Sequence, residues 1–147
     1  MAEHELKHSV AVVVHGPGDG TFLIVRRPDD PADPLAGVWG FPAVTLAAGE
    51  DELAGVARAG RVKLGVELRA VRRIGEAQGT QNGTVLRLAE YEAVITGGAP
   101  SVPQADAAVT QYPACRYTAD PADLAEAAGR GSLCARLFLQ DRARGNA

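Results

Sequence analysis

The chain has 147 residues, close to the usual size of one domain and long enough to bury a core without metal or disulfide staples. Hydrophobic residues make up 46% and charged residues 22%, and the formal net charge of −3 argues against a broad electrostatic grip on nucleic acid or an anionic membrane. The longest apolar run, Val10 to Val14, is far short of the ~20 residues that span a bilayer.

Two cysteines, Cys115 and Cys134, and a first segment Met1-Ala2-Glu3-His4-Glu5-Leu6-Lys7 without an apolar leader point to free thiols in a reducing, cytoplasmic setting. One domain over residues 1–147 is expected, with about six residues loose at each end.

Ser9 to His15 is a β-branched run that ends in Gly16-Pro17-Gly18-Asp19-Gly20, and Thr21 to Val25 is a second such run. The pattern predicts a hairpin. Arg26 and Arg27 leave it and enter Pro28-Asp29-Asp30-Pro31-Ala32-Asp33-Pro34, whose three prolines forbid regular structure. Gly37 to Pro42 and Ala43 to Ala48 precede a helix predicted over Asp51 to Leu64. Acidic residues at its start suit the helix dipole, and Gly65 stands where a C-terminal cap belongs. Leu53, Val56, Ala57, Gly60 and Leu64 give one apolar stripe. Gly60 on that stripe suggests close backbone approach to a sheet.

Val66 to Ile74 and Thr84 to Thr96 read as strands joined through Gln78 to Gly83, with Asn82-Gly83 as a tight-turn signal. A loop from Gly97 to Gln104 leads to a short strand near Arg116 to Thr118. Helical segments follow at Pro121 to Ala128 and Ser132 to Arg142, interrupted by Gly129-Arg130-Gly131. The fold class is α+β, helices layered on a mixed sheet.

Gly37, Trp39, Phe41 and Pro42, then Glu50, Arg58 after seven intervening residues, and Gly65-Val66 fall in register with one known pattern. On these residues the chain resembles the Nudix family, whose motif runs G-x5-E-x7-R-E-U-x-E-E-x-G-U (U being apolar). The resemblance covers roughly Ser9 to Leu139 and implies an α/β/α sandwich around a mixed β-sheet. It also implies a pyrophosphohydrolase ancestry, with helix glutamates holding Mg²⁺ against a diphosphate. Here the motif glycine is Val44, and the three glutamate positions are Ala59, Val62 and Lys63. Alanine and valine offer no oxygen to a hard cation, and a lysine repels it. Gln111 stands where a further family glutamate is expected.

Three readings follow. In the first, the chain binds a nucleoside-diphosphate-type or other phosphorylated small molecule, with weak or no hydrolysis. Lys63 then replaces the metal charge, Arg26, Arg27 and Arg61 add donors, and Trp39 or Phe41 stacks on a base. Glu50 and Arg58 are the remaining candidates for a catalytic role. No metal is expected at the usual site. In the second reading, Mg²⁺ is held by relocated carboxylates drawn from Glu50, Glu52, Glu76, Glu90 and Glu92, and hydrolysis survives. In the third, the chain is a partner-binding module, and Leu133, Leu137, Phe138 and Leu139 offer an apolar helix to a homodimer. For single residues, core packing of Trp39 and Phe41, solvation of the arginines and an ion pair between Arg58 and the Glu50 region compete with ligand contact.

Overall fold

A computed structural model describes residues 5–81, 83–105 and 108–145. The spine is Glu5–Val14 (β1), whose residues Val10 to Val14 are all buried. A strand apolar on both faces is stable only between two layers, and the chain supplies them. Val10, Val12 and Val14 face one hydrophobic cluster, while Ala11 and Val13 face a second. Phe22–Arg26 (β2) divides in the same way, with Leu23 and Val25 in the first cluster and Phe22 and Ile24 in the second.

The predicted hairpin does not form. β1 and β2 lie in different sheets, and their connection includes a lone bridge, His15 to Phe22, and a 2.9 Å bond from the Gly16 amide to the Thr21 carbonyl. Both edges of β1 are taken by other strands. It runs parallel to Thr84–Gly97 (β6) and antiparallel to Ala43–Thr45 (β4), so the glycine-rich turn carries the chain into a second sheet. Glu67–Gln81 (β5) completes the larger, mixed sheet in the order β4-β1-β6-β5. The smaller sheet has the order β3-β2-β7, from Trp39–Gly40 (β3) and Ala114–Thr118 (β7).

The predicted helix over Asp51 to Leu64 divides in two. Glu52–Ala59 (α1) is α-helical, with the Asp51 carboxylate accepting the Ala54 amide at 2.7 Å as its N-cap. Gly60–Leu64 then widens into a π-helical turn, closed by Gly65 in the left-handed region at φ 71°. A side chain at Gly60 would place its Cβ 2.8 Å from the Val66 carbonyl oxygen, so the expected close backbone approach is present. The apolar stripe is narrower than expected. Val56, Gly60 and Leu64 are buried, Ala57 is half-buried, and Leu53 is 58% exposed, on the outer face of α1.

β5 takes in Gln78 to Gln81, predicted as a connection, because these residues pair with Thr84 to Arg87 of β6. The connection is shorter than predicted: Asn82 of the tight-turn signal lies outside the described residues, and Gly83 has φ 77°. Pro121–Leu124 forms a 3₁₀ turn leading into Ala125–Gly129 (α2), and Leu133–Ala143 (α3) follows the expected break. The first cluster includes Val56, Ala59 and Leu64 around α1, and the second includes Leu137 and Phe138 of α3, giving the expected α/β/α layering. Of the ends expected to be loose, residues 1–4 and 146–147 lie outside the described residues, while β1 begins at Glu5 and α3 runs to Ala143. No helix among the described residues is long and apolar enough to cross a membrane.

Candidate functional site

On β1 the side chains of Lys7 and Ser9 share the face of Ala11, the α3 side, and register places Thr45, Leu86 and Leu88 beside them. Here the sheet is not covered by α3, and a cleft of about 470 Å³ opens. The loop after β2 forms one wall with Leu35 and Val38, and Ser132 to Cys134 at the start of α3 forms another. Among the described residues, five cationic side chains line it: Lys7, Arg27, Arg58, Lys63 and Arg130. Asp33 is the carboxylate among the described lining residues, and it accepts from the Arg27 guanidinium at 2.6 and 2.9 Å.

Lys63 is the innermost cation, 4% exposed. Its ammonium donates to the Thr110 carbonyl and lies 4.9 Å from the centroid of the Tyr112 ring, a cation–π contact. It does not run to the surface along its aliphatic stem. Tyr112 is itself fixed, accepting the Ala43 amide at 3.0 Å, and burial pushes its phenol up to about 12. The π-helical turn carries Lys63, Val62 and Leu64, and Gln111 braces it by donating to the Val62 carbonyl at 3.0 Å while accepting the Gln104 amide at 2.8 Å. Gln111 therefore ties the 100–112 loop to the segment that presents Lys63.

Glu50 and Arg58 meet as the sequence suggested, but as a clasp. Arg58 donates to both Glu50 oxygens at 2.9 Å and to the Thr45 carbonyl at 2.7 Å, and Glu50 also accepts the Ala47 amide at 3.0 Å. The Arg58 hydrogen bond, followed by that amide, lowers the Glu50 carboxyl to about 2. A carboxylate held that acidic is poorly matched to proton transfer near neutrality, and its visible work is to close the β4–α1 loop.

The remaining sequence candidates separate. Arg27 and Lys63 line the cleft. Arg26 is paired with Asp29 at 3.0 Å outside it, and Arg61 is exposed and absent from the lining. Phe41 borders the cleft but is 4% exposed, packed against Phe138 at 5.0 Å and Phe22 at 5.9 Å, so it is core and no stacking platform. Trp39 lies outside the lining with the Arg116 guanidinium 4.8 Å above its ring. Lys7, Ser9, Thr110, Tyr112 and Arg130 were missed. They belong to no shared motif, and Arg130 reads in sequence only as part of a glycine-flanked break.

The proposed relocated carboxylates are dispersed into ion pairs. Glu52 binds Arg73 at 3.0 Å and accepts the Tyr91 hydroxyl at 2.6 Å, Glu76 lies 3.3 Å from Arg73, and Glu92 lies 3.1 Å from Arg72. Glu90 is fully buried, and neither of its oxygens has a hydrogen-bond partner. Burial, then the nearby Asp141 charge, raises its carboxyl well above the usual range. Among the described residues, no three His, Cys, Asp or Glu side chains are placed to share a metal ion. Cys115 and Cys134 are both free thiols, with Cys134 buried and pushed up to about 11, first by that burial.

No family model matches the chain, and no curated protein matches it. Solved structures do. The chain is similar to the Escherichia coli ORF135 protein, with a TM-score of 0.72 at 19% identity over 95% of this chain and 93% of that one. It is similar also to a MutT Nudix hydrolase from Burkholderia pseudomallei, with a TM-score of 0.65 at 22% identity over 78% and 84% of the two chains. The chain has the Nudix fold. A third neighbour with this architecture is the C-terminal domain of mouse MUTYH, solved in complex with human PCNA, with a TM-score of 0.60 at 24% identity over 93% of this chain and 90% of that one.

The positions at which the Nudix motif places helix glutamates do not fit a magnesium ion here. Ala59 is fully buried in the first cluster, Val62 packs against that cluster, and Lys63 brings an ammonium. None is an oxygen donor, and a hard divalent cation needs several. The sequence placed the three on one helical face. In the π-helical turn they part, Ala59 lying in the core and Lys63 on the cleft.

Proposed function

We propose that this Nudix-fold chain binds a phosphorylated small molecule in the cationic cleft, with magnesium-dependent pyrophosphohydrolase activity weak or absent. The observation that carries the reading is Lys63, a buried ammonium on the cleft at a position where the Nudix motif has a glutamate. A cation replaces a metal-binding anion there, so the charge that would meet a phosphate comes from the protein itself. Lys7, Arg27, Arg58 and Arg130 surround the same space, and charge-assisted hydrogen bonds to phosphate are the strong kind. Structural neighbours described as Nudix hydrolases keep retained hydrolysis as the competing reading.

Thermal unfolding with a panel of mono- and diphosphate compounds, with magnesium or with a chelator, tests this. A ligand at a hundred times its Kd stabilises by about 2.7 kcal/mol, a readable shift for a chain of this size. The expected result is stabilisation that magnesium does not change. Stabilisation that requires magnesium, or turnover of the same compound, overturns the reading.

A second reading, a module that binds another protein, is favoured by the neighbour whose similar domain was solved in complex with PCNA. It predicts a surface for a macromolecular partner, and no phosphate-dependent stabilisation.

A further inference from the structure

The cleft differs from one edge of its floor to the other. At the β4 edge stand Arg58 and Lys63, with Ser9 and Thr45 paired on neighbouring strands. One strand further across, β6 presents Leu86 and Leu88, and Leu133 of α3 lies over Gly79 of β5, where a Cβ would meet Leu133 at 3.5 Å. Leu35 continues this aliphatic surface on the opposing wall. The buried cation Lys63 thus stands at one edge of the floor, and branched aliphatic carbon, with Lys7 beside Leu86, lies at the other.

Among the described residues, the cleft carries little of the equipment that reads a nucleobase. Base recognition uses an aromatic face for stacking and amide or carboxylate side chains for the base edge. Among the described lining residues there is no asparagine, glutamine or glutamate, and the one aspartate, Asp33, is held by Arg27. The aromatic residues that border the cleft are engaged elsewhere. Phe41 is packed between Phe22 and Phe138, and Tyr112 is 2% exposed with Lys63 against its ring. Trp39, the residue best suited to stacking, is outside the lining and covered by Arg116.

We infer that the ligand of this cleft is a phosphate or diphosphate ester of an aliphatic group, with the phosphate at Lys63 and the hydrocarbon across Leu86 and Leu133. The inference rests on the phosphate-binding reading above and specifies the rest of the molecule. Binding strength then depends on the apolar body, because each buried methylene adds to the free energy of transfer from water.

Calorimetric titration of the intact chain with inorganic pyrophosphate, pentyl diphosphate and ADP separates the two levels. The expected order is pentyl diphosphate tighter than pyrophosphate by roughly tenfold or more, with ADP no tighter than pyrophosphate. Leu86→Ala, checked for cooperative unfolding, should weaken pentyl diphosphate binding by a larger factor than pyrophosphate binding, so that the ratio of the two falls. If pyrophosphate binds and ADP gains at least as much as the pentyl ester, the aliphatic assignment is wrong while phosphate binding stands. If all three bind alike, the apolar surface contributes nothing and the assignment again fails. If none of the three binds, the phosphate-binding reading falls with it.

Discussion

Lys63 and Tyr112 lock each other in place: the ammonium sits 4.9 Å from the ring centroid, and the phenol is anchored 3.0 Å from the Ala43 amide. The pair joins the π-helical turn after α1 to β4 through the 108–112 segment, so the buried cation is held by tertiary structure from both sides. Replacing Lys63 by Met keeps a long side chain against the ring and removes the charge. Affinity for pyrophosphate, measured by calorimetry, should fall about tenfold or more, since hydrogen bonds to charged groups contribute about 1.5–3 kcal/mol. The variant should still unfold cooperatively.

Restoring the helix glutamates is not a simple reversal. Ala59 is fully buried beside Val56 and Leu64, and a carboxylate there would enter the core without a partner. Ala59→Glu should therefore destabilise by about 3 kcal/mol or more in urea unfolding, with no gain in magnesium affinity.

The Glu50–Arg58 clasp gives a defined acid limit. The folded carboxyl is lowered to about 2 from 4.5, so its stabilisation is fully present above about pH 4.5 and is lost as pH falls from there towards 2. Glu50→Gln should reduce stability at pH 7 by about 1–2 kcal/mol, after allowance for solvent screening at this partly exposed pair. The difference between the variant and the parent, followed by chemical denaturation, should shrink across that acid window.

Glu90 acts in the opposite sense. Its folded carboxyl is raised, so it holds a proton that the unfolded chain releases above about pH 4.5, and the parent loses stability as pH rises beyond that point. Asp141 of α3, bound by Arg72 of β5 at 2.7 Å, and the Cys134 thiol are the titratable neighbours that bear on it. Glu90→Gln removes the titration and should flatten the decline that sets in above about pH 4.5 in the same unfolding assay.

Gly60 offers a test of the π-helical turn. Alanine favours a helix over glycine by about 1 kcal/mol, yet a Cβ here would lie 2.8 Å from the Val66 carbonyl oxygen and 2.7 Å from Leu68 Cγ. Gly60→Ala should destabilise by about 1–3 kcal/mol, because backbone on one side cannot give way.

The Nudix architecture was legible because its signals are local. The valine run of β1, the acidic start of α1, the glycine that closes the π-helical turn, the Asn82-Gly83 turn signal and the spacing from Glu50 to Arg58 are each contained within a few residues. Charge and apolar period are properties of short segments, so one chain suffices to read them. Strand partnership is different. β1 and β2 are separated by a turn that would close a hairpin, and only the claim of β4 and β6 on both edges of β1 sends β2 to another sheet.

The cleft follows the same division. The sequence by itself determined that Lys63 stands where the Nudix pattern has a glutamate and that positions 59 and 62 carry no side-chain oxygen. Where Lys63 points was decided by the π-helical turn, the Tyr112 ring and the Gln111 brace, which come from 47 to 49 residues away along the chain. The gathering of Lys7, Arg27, Arg58 and Arg130 around it, and the engagement of Trp39 and Phe41 elsewhere, also depend on contacts between distant segments. A side chain's chemistry is fixed by its own residue, but its burial and its partners are set by elements that meet only when the sheets and helices pack.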